Sequence, residues 1–240
     1  MNRVAIITDI HGNLPALEAS LEAVAQIGVD AVYCGGDLVG YGPHPNEVCR
    51  LIADREIPTI YGNYDYAIAR DLDDCGCAYV TPHDRELGQR SVTWTLAHTD
   101  ARSKKFMRGL PFDLRFDLGG HAIHLVHGSP RKVNEYLFED KPARLYERLA
   151  AAETAEVMVF GHTHKPWIHE YGGVHFVNCG SVGKPKDGDP RAAFAILELD
   201  DGGQVRASIQ RAPYDAEAVA REVASAGLPG EYAQKLVAAA

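Results

Sequence analysis

The chain contains 240 residues, of which 46% are hydrophobic and 24% are charged, and its formal net charge at pH 7 is −9. This length allows one large domain or two small ones with an ample core, and the acidic balance argues against general binding of nucleic acids or membrane surfaces. No apolar run reaches the roughly 18 residues of a membrane span. Because Asp9 interrupts the first apolar run, we also expect no signal peptide.

Five cysteines, an odd number, are scattered along the chain without the spacing of a metal ribbon. We therefore expect reduced thiols in a cytoplasmic protein. Cys75 and Cys77 form the one pair for which a metal or redox role stays open, although nothing nearby in the sequence supports either.

The first third of the chain alternates between predicted strands and predicted helices. Apolar runs at 4–7, 30–34 and 57–61 predict strands, and helical spacing over 14–27 and after Pro45 predicts the helices between them. Each strand leads into polar residues beside glycine, in Asp9-Ile10-His11-Gly12, Gly35-Gly36-Asp37 and Gly62-Asn63-Tyr64-Asp65. The alternation indicates βαβ crossovers and a parallel sheet, whose ligand sites lie at the carboxyl ends of the strands.

The middle of the chain, from about 67 to 110, is predicted to be mostly helical. Thr81 and Pro82 are typical of an N-cap followed by a first helical residue, and this helix is expected to end near His98. Asp100 is expected to cap a second helix. We interpret the segment as a helical insertion over the mouth of the sheet.

The second half of the chain is dominated by hairpin patterns. Glycine pairs join the strands of three predicted hairpins, at 112–126, 167–177 and 192–211. A further strand is predicted at 157–160 after a helix at about 143–152, and a helical tail begins at about 215. Since there is no repeat or linker, residues 1–240 are expected to form a single domain.

Seven polar side chains are predicted to lie at or near the ends of apolar runs: Asp9, His11, Asp37, Asn63, His127, His162 and His164. One zinc ion needs about three or four such ligands, so the set indicates two metal ions that share a bridging group. Asp37 is the natural bridge, because each carboxylate oxygen can serve one ion. Nitrogen and oxygen ligands without thiolate favour Mn, Fe, Zn, Ni or Co over Ca or Mg, and we expect two such divalent ions, with manganese as the first choice.

Any one of these histidines, taken alone, is better explained as an ordinary core or surface side chain. The set is harder to explain in that way, because His127, His162 and His164 all fall at or close to a glycine after a predicted strand. By contrast, His98 and His124 lie within predicted elements, and we interpret them as structural or surface residues.

Five blocks of the chain resemble, in order, the signature blocks of the calcineurin-like metallophosphoesterases: Asp9-x-His11, Gly35-Gly36-Asp37, Gly62-Asn63-x-Asp65, His127-Gly128 and Gly161-His162-x-His164. The resemblance is greatest to the small prokaryotic phosphodiesterases of that family. It implies an α/β fold, a four-layer α/β/β/α sandwich in which helices flank two mixed sheets around a dinuclear site. One ion would be held by Asp9, His11, Asp37 and His164, and the other by Asp37, Asn63, His127 and His162.

The chain departs from the family's pattern at Tyr64. Many members carry histidine there, where it is thought to stabilise the transition state or to protonate the leaving group. A phenol can donate a hydrogen bond but cannot act as an imidazolium, so we expect slower turnover or a need for activated leaving groups. We interpret the neighbouring Asp65 as a residue that orients a metal ligand.

Further donors are needed for the charge that develops in the transition state. Arg131 and Lys132, just after the fourth block, are candidates, and so are Tyr41 and His44. The glycines of 178–183 allow two interpretations: the loop approaches the predicted metal site, or it only reverses the direction of the chain.

The leading hypothesis is a metal-dependent phosphoesterase that hydrolyses phosphodiester bonds by attack of a hydroxide bridging two metal ions. Its substrate would be a phosphoester, and its catalytic residues would be Asp37, Asn63, Tyr64, Asp65 and Arg131. One alternative is a noncatalytic protein-binding scaffold that keeps the fold, for which Tyr64 is the only support. Another is a phosphomonoesterase that acts on proteins or small molecules. The natural substrate, the native metal and the oligomeric state stay open at this point.

Overall fold

The computed structural model describes all 240 residues as nine strands and eight helices. Along the chain they are β1 (Arg3–Ile7), α1 (Leu14–Ile27), β2 (Ala31–Cys34), α2 (Pro45–Asp54), α3 (Asn63–Ala69), α4 (Pro82–His98), α5 (Ala101–Arg108), β3 (Asp113–Leu118), β4 (His121–Val126), α6 (Ala143–Ala152), β5 (Val157–Phe160), β6 (Trp167–Tyr171), β7 (Val174–Asn178), β8 (Ala192–Leu199), β9 (Val205–Ala212), α7 (Ala216–Ser225) and α8 (Gly230–Ala238). None of the helices has both the length and the apolar character that crossing a membrane requires.

The strands form two mixed sheets. The smaller sheet has the order β2-β1-β8-β9, in which β2 is parallel to β1 and β8 is antiparallel to both of its neighbours. The larger sheet has the order β3-β4-β5-β7-β6, with three parallel central strands and an antiparallel hairpin partner at each edge. The parallel strands β1, β4 and β5 lead directly into predicted metal ligands.

Alternation of side chains along the strands packs the two sheets face to face. Successive residues of a strand point to opposite faces, and Val4 and Ile6 of β1 therefore lie in one buried cluster with Val157 and Val159 of β5. This cluster fills the space between the sheets.

The opposite faces of the sheets are covered by helices. Ile7 of β1 packs with Leu17 of α1 in the largest buried cluster, whereas Phe160 of β5 packs with Tyr146 and Leu149 of α6. The layers are thus helix, sheet, sheet and helix, which confirms the predicted α/β/β/α sandwich.

The helices of the middle segment pack against the C-terminal helices. Leu87 of α4 lies in a buried cluster with Val223 of α7 and Tyr232 of α8, and the indole of Trp94 donates a hydrogen bond of 2.8 Å to the carbonyl of Ala226. The interpretation of 67–110 as an insertion stays a prediction.

The strand predicted at 57–61 is reduced to a single bridge between Cys34 and Thr59. Pro58 has no backbone N–H to donate to a ladder, although its carbonyl accepts from Cys34 at 2.9 Å. The segment still runs beside β2 and delivers Asn63 to the same edge as the other polar residues.

Candidate metal centre

The backbone at the ends of the strands adopts a conformation that few side chains tolerate. Asp9, His11, Asp37, His162 and His164 have φ between 49° and 64°, in the left-handed region. Such residues are uncommon outside glycine and concentrate at functional sites, where the surrounding structure holds them. The loops that follow β1 and β2 are joined by two backbone hydrogen bonds of 2.9 Å. The N–H of Asp9 donates to the carbonyl of Gly36, and the N–H of His11 donates to the carbonyl of Asp37.

These loops bring six buried side chains into two groups. In the first triad, the ligand atoms of Asp9, His11 and His164 lie within 4.8 Å of one another. In the second triad, those of Asp37, His127 and His162 do so. Carboxylate and imidazole atoms at this spacing can hold a transition-metal ion in each triad.

Asp37 lies between the two triads. Its Oδ2 is 3.4 Å from Nε2 of His127 and 3.6 Å from Nε2 of His11, which belongs to the first triad. The Oδ1 atom of Asn63 lies 3.2 Å from the same nitrogen of His127 and so adjoins the second triad. The structure therefore brings together all seven residues of the predicted ligand set.

Hydrogen bonds to backbone carbonyls orient three of the histidines. The Nδ1 atoms of His11, His127 and His164 bond to the carbonyls of Val39, Gly35 and Lys184 at 3.0, 2.8 and 2.6 Å. A carbonyl only accepts, so each Nδ1 carries the proton and each Nε2 faces the triads. Metal-bound histidines are oriented in this way.

Two buried atoms support the fit of cations to these residues. The Oδ1 atom of Asp9 and the Nε2 atom of His162 are buried without any hydrogen-bond partner. Buried polar atoms are nearly always satisfied, and both atoms face ligand atoms of their own triads. The donor set and its two unsatisfied atoms fit two divalent cations.

The pKa values of the buried carboxylate and histidines also favour the binding of cations. Burial alone would raise the pKa of Asp9, but His164 and His127 outweigh it and hold that pKa well below its usual range. Burial lowers the pKa of His162 to about 3, so this imidazole is neutral. At His127, burial is outweighed by Asp37 and Asp9, which raise the pKa to about 10. A metal ion in the second triad would therefore displace a proton from His127.

The ring of Tyr64 packs against that of His11 in the first triad, with the centroids 5.6 Å apart, and its hydroxyl is directed to Ser91. The Tyr64 hydroxyl lies 3.4 Å from Oγ of Ser91 on α4, while the backbone N–H of Tyr64 donates to Oδ1 of Asp37 at 2.8 Å. Burial raises the pKa of this phenol well above its usual value. The ring occupies space that only glycine leaves open, because a Cβ at Gly40 would lie 2.3 Å from it.

Asp65 contacts no histidine and instead joins the loops that carry Asp37 and Asn63. Its Oδ1 accepts from the N–H of Leu38 at 2.8 Å, and its Oδ2 from the N–H of Gly62 at 3.0 Å. Burial and the nearby Asp37 raise its pKa to about 7. Asp65 thus positions ligands through the backbone.

Of the other candidates, only Tyr41 touches the triads, with its ring centroid 4.9 Å from that of His11. Arg131 forms an ion pair with Glu135 and lies half exposed, and His44 pairs with Glu222 at 2.7 Å. No hydrogen bond or ion pair joins either residue to the triads. Arg131 and Lys132 line a surface cavity whose wall also contains Tyr136.

The loop at 178–183 does approach the site. The hydroxyl of Ser181 donates to the carbonyl of Asp9 at 2.7 Å, and a Cβ at Gly183 would lie 1.8 Å from the carbonyl of Ile10. Glycine at 183 therefore permits the close contact between this loop and the end of β1.

Sequence reasoning missed three neighbours of the centre. The amide of Asn63 donates to Sγ of Cys77 at 3.3 Å, and the ring of Tyr136 lies 4.0 Å from that of His162. The N–H of Lys186 bonds to the carbonyl of His164 at 3.1 Å. Of these three, only Lys186 could have been noticed in the sequence, because it follows closely after the glycines of 178–183.

The calcineurin-like phosphoesterase superfamily domain matches residues 2–202 of the chain. The chain therefore belongs to this superfamily, as the signature blocks predicted, and it is a phosphoesterase of a metal-dependent family. Phosphodiesterase YfcE of Escherichia coli is 26% identical over 200 residues, which cover 83% of this chain and 89% of that protein. An uncharacterized protein of Methanocaldococcus jannaschii is 27% identical and covers 97% of this chain and 96% of its own length.

Among solved structures, a metallophosphoesterase from Sphaerobacter thermophilus is 29% identical with a TM-score of 0.80, and the match covers 100% of this chain and 99% of that one. A hypothetical protein from Pyrococcus horikoshii shares the fold, with a TM-score of 0.84 at 24% identity over 98% of each chain.

Proposed function

We propose that this protein hydrolyses phosphodiester bonds with two divalent transition-metal ions, manganese being the first choice. The observation that carries the proposal is the position of Asp37, whose Oδ2 lies within 3.6 Å of a histidine from each triad. The chemistry that such ions would supply when bound is Lewis acidity, which would lower the pKa of water and neutralise charge on the phosphoryl oxygens.

The residues of the chain then have separate tasks. The first ion would be held by Asp9, His11, Asp37 and His164, and the second by Asp37, Asn63, His127 and His162. The amide of Asn63 is held by the carbonyl of Cys75 at 3.0 Å, which leaves its oxygen free to face the second triad. Tyr41 and Tyr136 cover the triads with their rings and restrict the access of water.

Tyr64 bears on which esters are cleaved. Its hydroxyl is directed to Ser91, so it does not supply a proton to a leaving group at the triads. A site without this acid favours esters whose leaving group is stable as an anion. The similarity to the phosphodiesterase YfcE, 26% identical over 200 residues, supports the diester class. A cytoplasmic location is likewise our proposal, since the five cysteines are all free thiols.

The test is hydrolysis of bis(4-nitrophenyl) phosphate and 4-nitrophenyl phosphate by metal-stripped protein reloaded with Mn²⁺. We expect turnover of the diester well above that of the monoester. Asp37→Asn keeps an acceptor for the N–H of Tyr64 but loses one negative charge, and it should lose more than 100-fold in kcat. Asp54→Asn, at an exposed position, is the matched control. Stoichiometric metal binding without hydrolysis of either ester would contradict the proposal and favour the scaffold.

A further inference from the structure

A cavity of about 270 Å³ opens beside the second triad. Its wall includes Cys77, whose thiol accepts from the amide of Asn63 at 3.3 Å, and Tyr136, whose ring lies 4.0 Å from that of His162. The cavity therefore adjoins two direct neighbours of the second triad.

Lysine is the commonest charged residue in the wall of this cavity. The wall contains Lys184, Lys186 and Lys235 against one acidic side chain, that of Asp84, and the C-terminal residue Ala240. Asp84 lies 3.6 Å from the ammonium of Lys235, so two of the three lysines have no carboxylate partner. This excess of positive charge occurs in a chain whose net charge is −9, which makes it a local feature.

Lys184 is the more unusual of the two unpaired lysines, because it is only 6% exposed. Its ammonium lies 4.9 Å from the ring centroid of Tyr41 and 5.8 Å from that of Tyr232. Aromatic faces attract a cation, but they do not neutralise it. No carboxylate lies within ion-pairing distance of this nitrogen, and it makes no hydrogen bond to the protein, so it is available to an anion in the cavity.

Lys186, like Lys184, is attached to the first triad through its backbone. Its N–H bonds to the carbonyl of His164 at 3.1 Å, and the carbonyl of Lys184 accepts from Nδ1 of the same histidine at 2.6 Å. Both lysines are therefore fixed to a ligand of the first triad by their backbones. Their side chains enter one cavity from an anchored segment.

Resting on the phosphodiesterase function proposed above, we propose that the substrate carries a second anionic group, which Lys184 and Lys186 bind in this cavity. The class of substrate is a nucleotide diester with an additional phosphate. Four tyrosines in the same wall, Tyr41, Tyr79, Tyr136 and Tyr232, provide apolar rings and hydroxyls that suit a nucleoside. Ammonium groups bind phosphate through charge-assisted hydrogen bonds.

The test compares two probes that differ only in the second phosphate, adenosine 5′-monophosphate and adenosine 3′,5′-bisphosphate. Isothermal titration calorimetry on the Mn²⁺-loaded protein measures each dissociation constant, and a phosphate assay checks that neither probe is cleaved. We expect the bisphosphate to bind at least about tenfold more tightly. Lys184→Gln and Lys186→Gln should each reduce that preference about tenfold, since one charge-assisted hydrogen bond contributes roughly this much, and leave monophosphate binding within about twofold.

Lys105→Gln, at an exposed position of α5, is the matched control and should keep the full preference. Equal binding of the two probes by the unmodified protein would overturn the inference, and so would a preference that survives both cavity variants. Diester hydrolysis without the preference would overturn this inference alone. A lysine-dependent preference without hydrolysis would support the anion site and contradict the phosphodiesterase function.

Discussion

The Nε2 atoms of His11 and His164 lie 3.1 Å apart, although both rings give their Nδ1 proton to a backbone carbonyl. Two imidazoles that carry their proton on Nδ1 turn the lone pairs of Nε2 toward each other. The contact is repulsive by itself and becomes favourable when both nitrogens bind one cation, which is the simplest physical reason for the geometry of the first triad.

Metal binding should therefore stabilise the fold. Because a ligand that binds only the folded state adds RT ln(1 + [L]/Kd), Mn²⁺ at 100 times its Kd is expected to add about 2.7 kcal/mol per site. Thermal unfolding with Mn²⁺ or with a chelator measures the difference. His164→Asn should lose the contribution of the first site, about half of the difference, whereas His169→Asn on the exposed face of β6 should keep all of it. Identical melting of the unmodified protein with Mn²⁺ and with chelator would contradict this.

The hydroxyl of Tyr64 should contribute little to turnover. It lies 3.4 Å from Oγ of Ser91, and Tyr64→Phe removes this one long hydrogen bond while it keeps the ring packed against His11. We expect kcat within about threefold of the unmodified protein and a loss of no more than about 1 kcal/mol in the free energy of unfolding. A drop of more than 100-fold in kcat, with stability preserved, would show instead that the phenol acts on the substrate.

Gly40 should be intolerant of any side chain. A Cβ there would lie 2.3 Å from the ring of Tyr64, and the backbone has φ of +95°. Gly40→Ala is expected to cost at least about 3 kcal/mol, because steric overlap adds to backbone strain of about 1–3 kcal/mol. Gly203→Ala measures the cost of backbone strain alone, since φ at Gly203 is +77° and no atom lies within 4 Å of a Cβ added there. Urea unfolding should show a smaller loss for Gly203→Ala, and equal losses would exclude the steric contact.

Cys77 should increase the metal affinity of the second site, because it orients Asn63. The thiol accepts from the amide of Asn63 at 3.3 Å, and groups that orient a ligand typically change metal affinity by about 10–100-fold. Cys77→Ala is expected to weaken the second Mn²⁺ by about tenfold and leave the first unchanged. Cys77→Ser restores an acceptor and should recover part of that affinity. An unchanged second Kd in Cys77→Ala would refute the positioning role.

Much of the fold was predictable, because local periodicity and global packing agree. The pattern of 14–27 produced α1 with the predicted bounds, and the run 157–160 produced β5. The position of the metal centre followed from topology, since parallel strands deliver their carboxyl ends to one edge. That is why Asp9 and His162, which are far apart in sequence, share this edge.

The remaining features depend on contacts that no local pattern encodes. The direction of the Tyr64 phenol is set by Ser91 on α4 and by the space at Gly40. Arg131 looked like a substrate contact because it follows His127, but a glutamate four residues later pairs with it. Lys184 and Lys186 gain significance only when the tertiary structure leaves them without carboxylates.

We propose that Asp37 bridges two metal ions, and electron paramagnetic resonance of the Mn²⁺-loaded protein, together with elemental analysis, measures whether it does. We predict two manganese ions per chain with an exchange-coupled spectrum. In Asp37→Asn the coupling should weaken or disappear, while Asp54→Asn should match the unmodified protein. A single manganese ion per chain, or two ions whose spectrum is uncoupled and unaffected by Asp37→Asn, would contradict the account.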